Sequence, residues 1–171
     1  MISVPSSGRD GPYDAPLRIS DLVVLPEWID FNGHMNASYY GLSFQTEAEK
    51  FLEGVVGFGP SFAAAEGKGP FVLQVNLHYV GELVEGEPFY ITMRLLDHDA
   101  KRMHMFFEMI SERSGKLCAT AEYLNMNVDL KARRGVEFPD WLKARLADMQ
   151  ASHDALDRPA QAGAPIGLRR A

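Results

Sequence analysis

The clearest hydrophobic rhythm in the chain lies after Pro70, where Phe71, Leu73, Val75, Leu77 and Tyr79 alternate with Gln74, Asn76 and His78. A period of two sends successive side chains to opposite faces, so this segment predicts a strand with one apolar and one polar side. Residues 89–96 repeat the alternation after a turn at Glu85-Gly86. Residues 102–111 follow a loop at 97–101, with Met103, Met105, Phe107 and Met109 sharing a face. A last long strand over 117–128 is entered through the tight turn Arg113-Ser114-Gly115-Lys116. Neighbouring strands joined by such short connections run antiparallel.

Upstream, Leu22-Val23-Val24-Leu25 marks a short strand over 19–25 that stops at Pro26. After Asn36 the period changes. Tyr40, Phe44, Glu47 and Phe51 recur at helical spacing and predict a helix of about five turns. Asn36 is its N-cap candidate, and Gly54, Gly57, Gly59 and Pro60 end it. Residues 61–69 read as a loop or a short helical turn, and residues 139–149, with Trp141, Leu142 and Leu146, as a closing helix.

Strand, long helix, four consecutive strands and a final helix make an α+β domain over residues 19–150. The flanks, 1–18 and 151–171, are rich in Gly, Pro, Ala and Ser and read as loosely tethered. One helix cannot cover both faces of such a sheet, yet both carry apolar side chains. A sheet that wraps the long helix and continues into a second copy resolves this, so a homodimer or a dimer of dimers is expected.

Composition narrows the chemistry. A chain of 171 residues fits one domain. Its net charge of −6 repels a phosphate backbone, so nucleic acid is not an expected partner. The single cysteine, Cys118, supports neither an internal disulfide nor a cysteine zinc cage and suits a reducing cytoplasm. No stretch has the apolar length of a membrane span, and the N-terminal residues lack a secretory apolar run. Gly57-Phe58-Gly59 does not follow a strand and no Gly-Lys-Ser/Thr occurs, so no cofactor or metal fingerprint is read.

The informative segment is Trp28-Ile29-Asp30-Phe31-Asn32-Gly33-His34-Met35-Asn36, between the first strand and the long helix. It resembles the Asp-x-x-Gly-His-x-Asn signature of hot-dog-fold acyl-CoA thioesterases of the 4-hydroxybenzoyl-CoA thioesterase type, and the element order over 19–128 matches that fold. The same segment, the Tyr39-Tyr40 pair and Asp99-Ala100-Lys101-Arg102-Met103-His104 are similar to the betainyl-CoA thioesterases of bacterial carnitine breakdown. The resemblance implies an antiparallel sheet wrapped around one helix. It also implies that acyl-CoA is the substrate, with coenzyme A entering only as part of it.

It further implies that Asp30 is the nucleophile or general base. Gly33 lets the chain turn and a substrate approach the backbone. The helix N-terminus offers free amides, at Asn36 or Ala37, to the thioester oxygen. His34 is a secondary candidate that orients Asp30 or water, or a structural hydrogen-bonder. Asn36 reads first as a cap that fixes those amides. Trp28, Phe31, Tyr39, Tyr40 and Phe44 gather around the motif, and aromatic faces attract a quaternary ammonium. Lys101 and Arg102 are candidates for coenzyme A phosphates.

Each residue also has a plainer reading. Asp30 before a glycine turn can be an Asx-turn former, and the aromatics can be core. Glu47 reads as emerging at the edge of the helix's apolar stripe. Gln74, Asn76 and His78 read as a solvated strand face, as a contact across a subunit boundary or as reaching the site, and Lys101-Arg102 as an exposed turn. Two other functions compete: a catalytically silent acyl-CoA-binding dimer, and a hot-dog hydratase. The hydratase signature spaces histidine five residues after aspartate, against four from Asp30 to His34.

Overall fold

The computed structural model describes residues 8–168. Residues 1–7 and 169–171, the extremes of the two expected loose flanks, lie outside them. In chain order the elements are β1 (Leu17–Val23), a 3-10 turn (Pro26–Trp28), α1 (Ala37–Phe51), a π-helical turn (Leu52–Val56), α2 (Pro60–Glu66) and β2 (Lys68–Tyr79). They continue with β3 (Pro88–His98), β4 (Arg102–Ser111), β5 (Leu117–Asp129), the two-residue β6 (Arg134–Gly135) and α3 (Asp140–His153). Among the described residues no helix is long and apolar enough to cross a membrane.

The strands form one antiparallel sheet in the order β1-β3-β4-β5-β2, with β6 appended to β5. β2 therefore pairs with β5 and not with its chain neighbour β3, as a run of four consecutive strands would have it. Residues 80–87 carry the chain back across the end of the sheet. They can do so because Leu83 is fully buried there and its amide donates to the Tyr40 hydroxyl at 3.0 Å.

The sheet curls around α1. Met103, Met105, Phe107 and Met109 of β4 all point inward, as their alternation predicts, joined by Phe89, Ile91 and Met93 of β3. Phe44 of α1 packs on Phe107, ring centroids 6.5 Å apart, and Phe107 meets Tyr123 edge-on at 5.4 Å. Burying a side chain of this size contributes about 1.5–3 kcal/mol, so this inner layer dominates the stability of the sheet–helix unit. α1 passes into the π-helical turn and stops at Gly57, whose φ of 77° is a left-handed cap that a side chain would strain.

A bulge in β2 changes its faces. The register with β5 slips between Val72 and Gln74. Val72, opposite Asn125, therefore joins Val75, Leu77 and Tyr79 on the inner side. Phe71, opposite Met126, falls on the outer side with Gln74, Asn76 and His78, which corrects the strict alternation read from the sequence.

The flanks make definite contacts. Arg145 of α3 donates to Asp10 at 2.8 Å and to the Val56 carbonyl at 2.7 Å. α3 runs to His153, whose ring receives the Leu95 amide at 2.9 Å and reaches the Asp14 carbonyl at 3.0 Å. The chain after α3 crosses the outer sheet face, where Asn76 donates to Ala164 O at 3.0 Å and Gly163 N to Glu122 at 2.8 Å. That outer polar face is thus partly covered by the chain's own C-terminal segment.

Candidate active site

The site is the junction between the 3-10 turn and α1. Trp28 O accepts the Asn36 amide at 2.8 Å, Ile29 bridges to Met35, and Asp30 N donates to His34 O at 3.1 Å. A tight loop, residues 30–34, is thereby pinched shut. Gly33 sits at its turn with φ 80°, where a β-carbon would meet open space but the backbone itself favours glycine. Met35, fully buried, anchors the loop to the residue 80–87 crossover by donating its amide to Leu83 O at 2.8 Å.

Within this frame the Asp30 carboxylate is fixed at both oxygens. Oδ1 accepts the Asn32 amide at 2.8 Å, and Oδ2 accepts Asn36 Nδ2 at 3.0 Å. Donors to a carboxylate favour its charged form. The Asn32 amide first, then Asn36 and the nearby His34, hold Asp30 below the usual carboxylate range against an opposing push from desolvation. Asp30 thus makes the Asx turn of its plainer reading, and the same turn presents an ionised carboxylate.

Asn36 carries two tasks. Its Oδ1 accepts Ser38 N at 2.9 Å, the N-cap bond predicted for it, while its Nδ2 holds Asp30. Its own amide is occupied by Trp28 O, so of the two amides expected to face the thioester oxygen only that of Ala37 has no hydrogen-bond partner among the described residues. The positive end of α1 is centred there.

Beside this junction opens a cleft of about 400 Å³ lined by His34, Ala37, Tyr40, Tyr79, Gly81 and Glu82, among others. His34 Nδ1 lies 3.2 Å from Met35 O, and Nε2 lies 3.9 Å from Glu82. Tyr40 closes the floor and meets Tyr79 edge-on, ring centroids 5.5 Å apart. Tyr79, Gly81 and Glu82 were not singled out from sequence. They arrive from the end of β2, more than forty residues downstream, and only the strand order places them there.

The structure gathers Asp30, Gly33, His34 and Asn36 in the loop, and of the candidates His34, Ala37 and Tyr40 line the cleft, with Asp30 beside it and not in its lining. It places the other candidates elsewhere. Trp28 and Tyr39 stack on each other, 5.5 Å between centroids and 16° between planes, beside the loop and not in the cleft. Phe44 is wholly in the core and Phe31 is 96% exposed at the loop tip, so the five aromatics do not form a cage.

Lys101 and Arg102 lie at the far end of the sheet. Arg102 pairs with Met126, seven residues along β5 from the Ala119 that faces Tyr79, roughly 23 Å away. Arg102 is engaged with Asp99 at 2.6 Å, and Asp99 is held down to about 2; Arg102 and the turn amides of Lys101 and Arg102 outweigh the larger single push of desolvation. Glu47, expected at a solvent edge, is buried and paired with Lys50 at 2.6 Å.

A helix cradled by a curled antiparallel sheet, with an aspartate-bearing loop at the helix N-terminus, defines the hot-dog class. Residues 24–146 match the family model described as the thioesterase-like superfamily. The chain belongs to this family. It is 33% identical over 145 residues to the betainyl-CoA thioesterase of Pseudomonas aeruginosa, covering 85% of this chain and 91% of that one. It is 34% identical over 167 residues to the L-carnitine dehydrogenase/betainyl-CoA thioesterase of Rhizobium meliloti, covering 97% of this chain and 33% of that protein. The chain therefore spans about a third of the length of this second relative. Among solved structures, SAV2348 from Staphylococcus aureus in complex with CoA superposes with a TM-score of 0.83 at 25% identity, covering 93% of this chain and all of that one.

Proposed function

We propose that this protein is an acyl-CoA thioesterase that uses Asp30 to hydrolyse a thioester to a free acid and coenzyme A, with betainyl-CoA as the favoured substrate. The observation that carries the reading is the clamping of the Asp30 carboxylate by Asn32 and Asn36 at the start of a helix whose Ala37 amide is free beside a cleft. The carbonyl oxygen would take the Ala37 amide, and the helix dipole would stabilise the charge that develops on it. Ionised Asp30 either attacks the carbonyl carbon, releasing coenzyme A thiolate and leaving an anhydride for water to open, or takes the proton of an attacking water. In this reading His34 orients Asp30 or the reacting water, and Gly33 keeps the approach open.

The choice of acyl group is supported by the names of the two relatives, both of which include betainyl-CoA thioesterase. SAV2348, bound to CoA, supports coenzyme A as the shared handle.

The working unit in this reading is a homodimer joined at β2. Among the described residues this strand ends the sheet with no neighbour on one side. It exposes Val72, Leu73, Val75 and Tyr79, and Leu42 of α1 stands exposed as well. An edge so apolar, with Lys68 at its start its one Lys, Arg, Asp or Glu, invites pairing with a second copy. A thiol-release screen with betainyl-, short-chain, long-chain and aromatic acyl-CoA esters tests the assignment. Release fastest with betainyl-CoA is expected; preference for an uncharged long chain would defeat the choice of substrate, and no release from any ester would defeat the enzyme.

A further inference from the structure

A second cavity, of about 300 Å³, opens between α1, α2 and the inner face of β2 and β5, at the end of α1 away from Asp30. Its walls are apolar, among them Leu52, Pro60, Ala63 and Val72. Its polar side chains are Gln45, Glu49 and Asn125. Glu49 stands exposed at the rim, with Gln45 Nε2 donated to its carboxylate at 2.7 Å. Asn125 is 4% exposed, faces inward opposite Val72, and its Oδ1 has no hydrogen-bond partner among the described residues. Burial first, and then the charge of Glu49, push the Tyr123 phenol up to about 12.

Among the described residues Glu49 has no ion pair, Lys50 is spent on Glu47, and Arg133 lies over the Phe71 ring on the opposite side of the sheet. A carboxylate at the rim of an apolar pocket repels an acyl carboxylate and attracts a cation. The apolar walls suit a cation whose charge is clothed in methyl groups, held by charge and dispersion.

The cavity and the catalytic loop lie at opposite ends of one protomer, because α1 runs antiparallel to β2: Ala37 is beside Tyr79, while Leu52 and Glu49 are beside Val72. Twelve residues of helix separate Ala37 from Glu49, roughly 18 Å. Two copies paired antiparallel along β2 exchange these ends, so each Asp30 loop faces the other copy's cavity.

Building on the thioesterase reading, we infer that Glu49 of one subunit, with Asn125 behind it, receives the quaternary ammonium of the acyl group whose thioester is cleaved at Asp30 of the other. This supplies the cation recognition that the aromatic side chains around the loop do not.

The test compares kcat/KM for betainyl-CoA and for 3,3-dimethylbutanoyl-CoA, in which carbon replaces the quaternary nitrogen. Wild-type protein should prefer betainyl-CoA. Glu49→Gln should lower that ratio about tenfold, and the charge reversal Glu49→Lys should lower it further. In purified mixed dimers of an Asp30→Asn subunit with a Glu49→Gln subunit, the one intact site should show the wild-type ratio. A ratio unaffected by both Glu49 variants, or a wild type without preference, overturns the inference and leaves the thioesterase standing. A mixed dimer with the Glu49→Gln ratio overturns the cross-subunit placement. Failure of the wild type to cleave any ester overturns the enzyme assignment and the inference with it.

Discussion

Asn36 joins the cap of α1 to the orientation of Asp30, and the two tasks can be separated by substitution. Asn36→Ala removes both the bond from Ser38 N at 2.9 Å and the donor at 3.0 Å from Asp30 Oδ2. Loss of the cap costs about 1 kcal/mol, a fall in Tm of roughly 2–4 °C for a domain of this size. Asn36→Ser keeps a capping oxygen, so its stability should lie within about 0.5 kcal/mol of wild type. Serine is too short to reach Asp30, however, and leaves the carboxylate held only by Asn32. Misplacing a reacting group by this much costs on the order of 10- to 100-fold in turnover. Because Asn36 favours the charged carboxylate, its removal also lets the Asp30 pKa rise, and the acid limb of kcat/KM should move to higher pH. Thermal melts and pH–rate profiles of both variants give the two readouts. A serine variant with wild-type stability, wild-type kcat/KM and an unmoved acid limb would show that the Asn36–Asp30 contact does nothing for catalysis.

Other outcomes follow from the same structure. Val75→Lys puts a charge on the exposed inner side of the β2 edge; gel filtration should show monomers and thiol release should fall, whereas an intact dimer would rule out this edge as the interface. Phe107→Ala opens a cavity between Phe44 and Tyr123 and should cost about 3–5 kcal/mol in urea denaturation; a cost under about 1 kcal/mol would deny that this layer is the core. His153 must be neutral to accept the Leu95 amide, and burial, the main cause, lowers its pKa below 6.5. The unfolded chain therefore binds the proton first as pH falls, and stability should drop below about pH 6.5 and be flat above it on this account. His153→Gln should lessen that slope between pH 7 and 5, and an unchanged slope would assign it to other groups.

The local physics was readable residue by residue. The Asn36 cap, the inward methionine face of β4 and the glycine turn at Gly33 each follow from one residue type in one local pattern. What the pattern could not reveal was how strands meet. Alternation reads the same whether β2 lies beside β3 or beside β5, so the arrival of Tyr79 and Glu82 at the cleft had no local signal. The slip at Leu73 likewise moves Phe71 and Val72 to opposite faces without changing the composition of the strand. Glu47 shows the converse: the helical stripe correctly counted it among the inward positions, and only its pairing with Lys50 explains how a carboxylate is tolerated there. The expected aromatic cluster failed for a similar reason, since nearness in sequence placed Phe31 at a loop tip and Phe44 four helical residues beyond Tyr40, deep in the core.

The most direct measurement is coenzyme A release from betainyl-CoA by wild type and by Asp30→Asn, an exchange that retains the side-chain oxygen needed for the Asn32 turn. If ionised Asp30 performs the chemistry, the variant should fold with a melting point lowered by about 2–4 °C, because its new amide faces Asn36 Nδ2, and lose about 10³-fold or more in kcat. A folded Asp30→Asn protein that releases coenzyme A at the wild-type rate would contradict it.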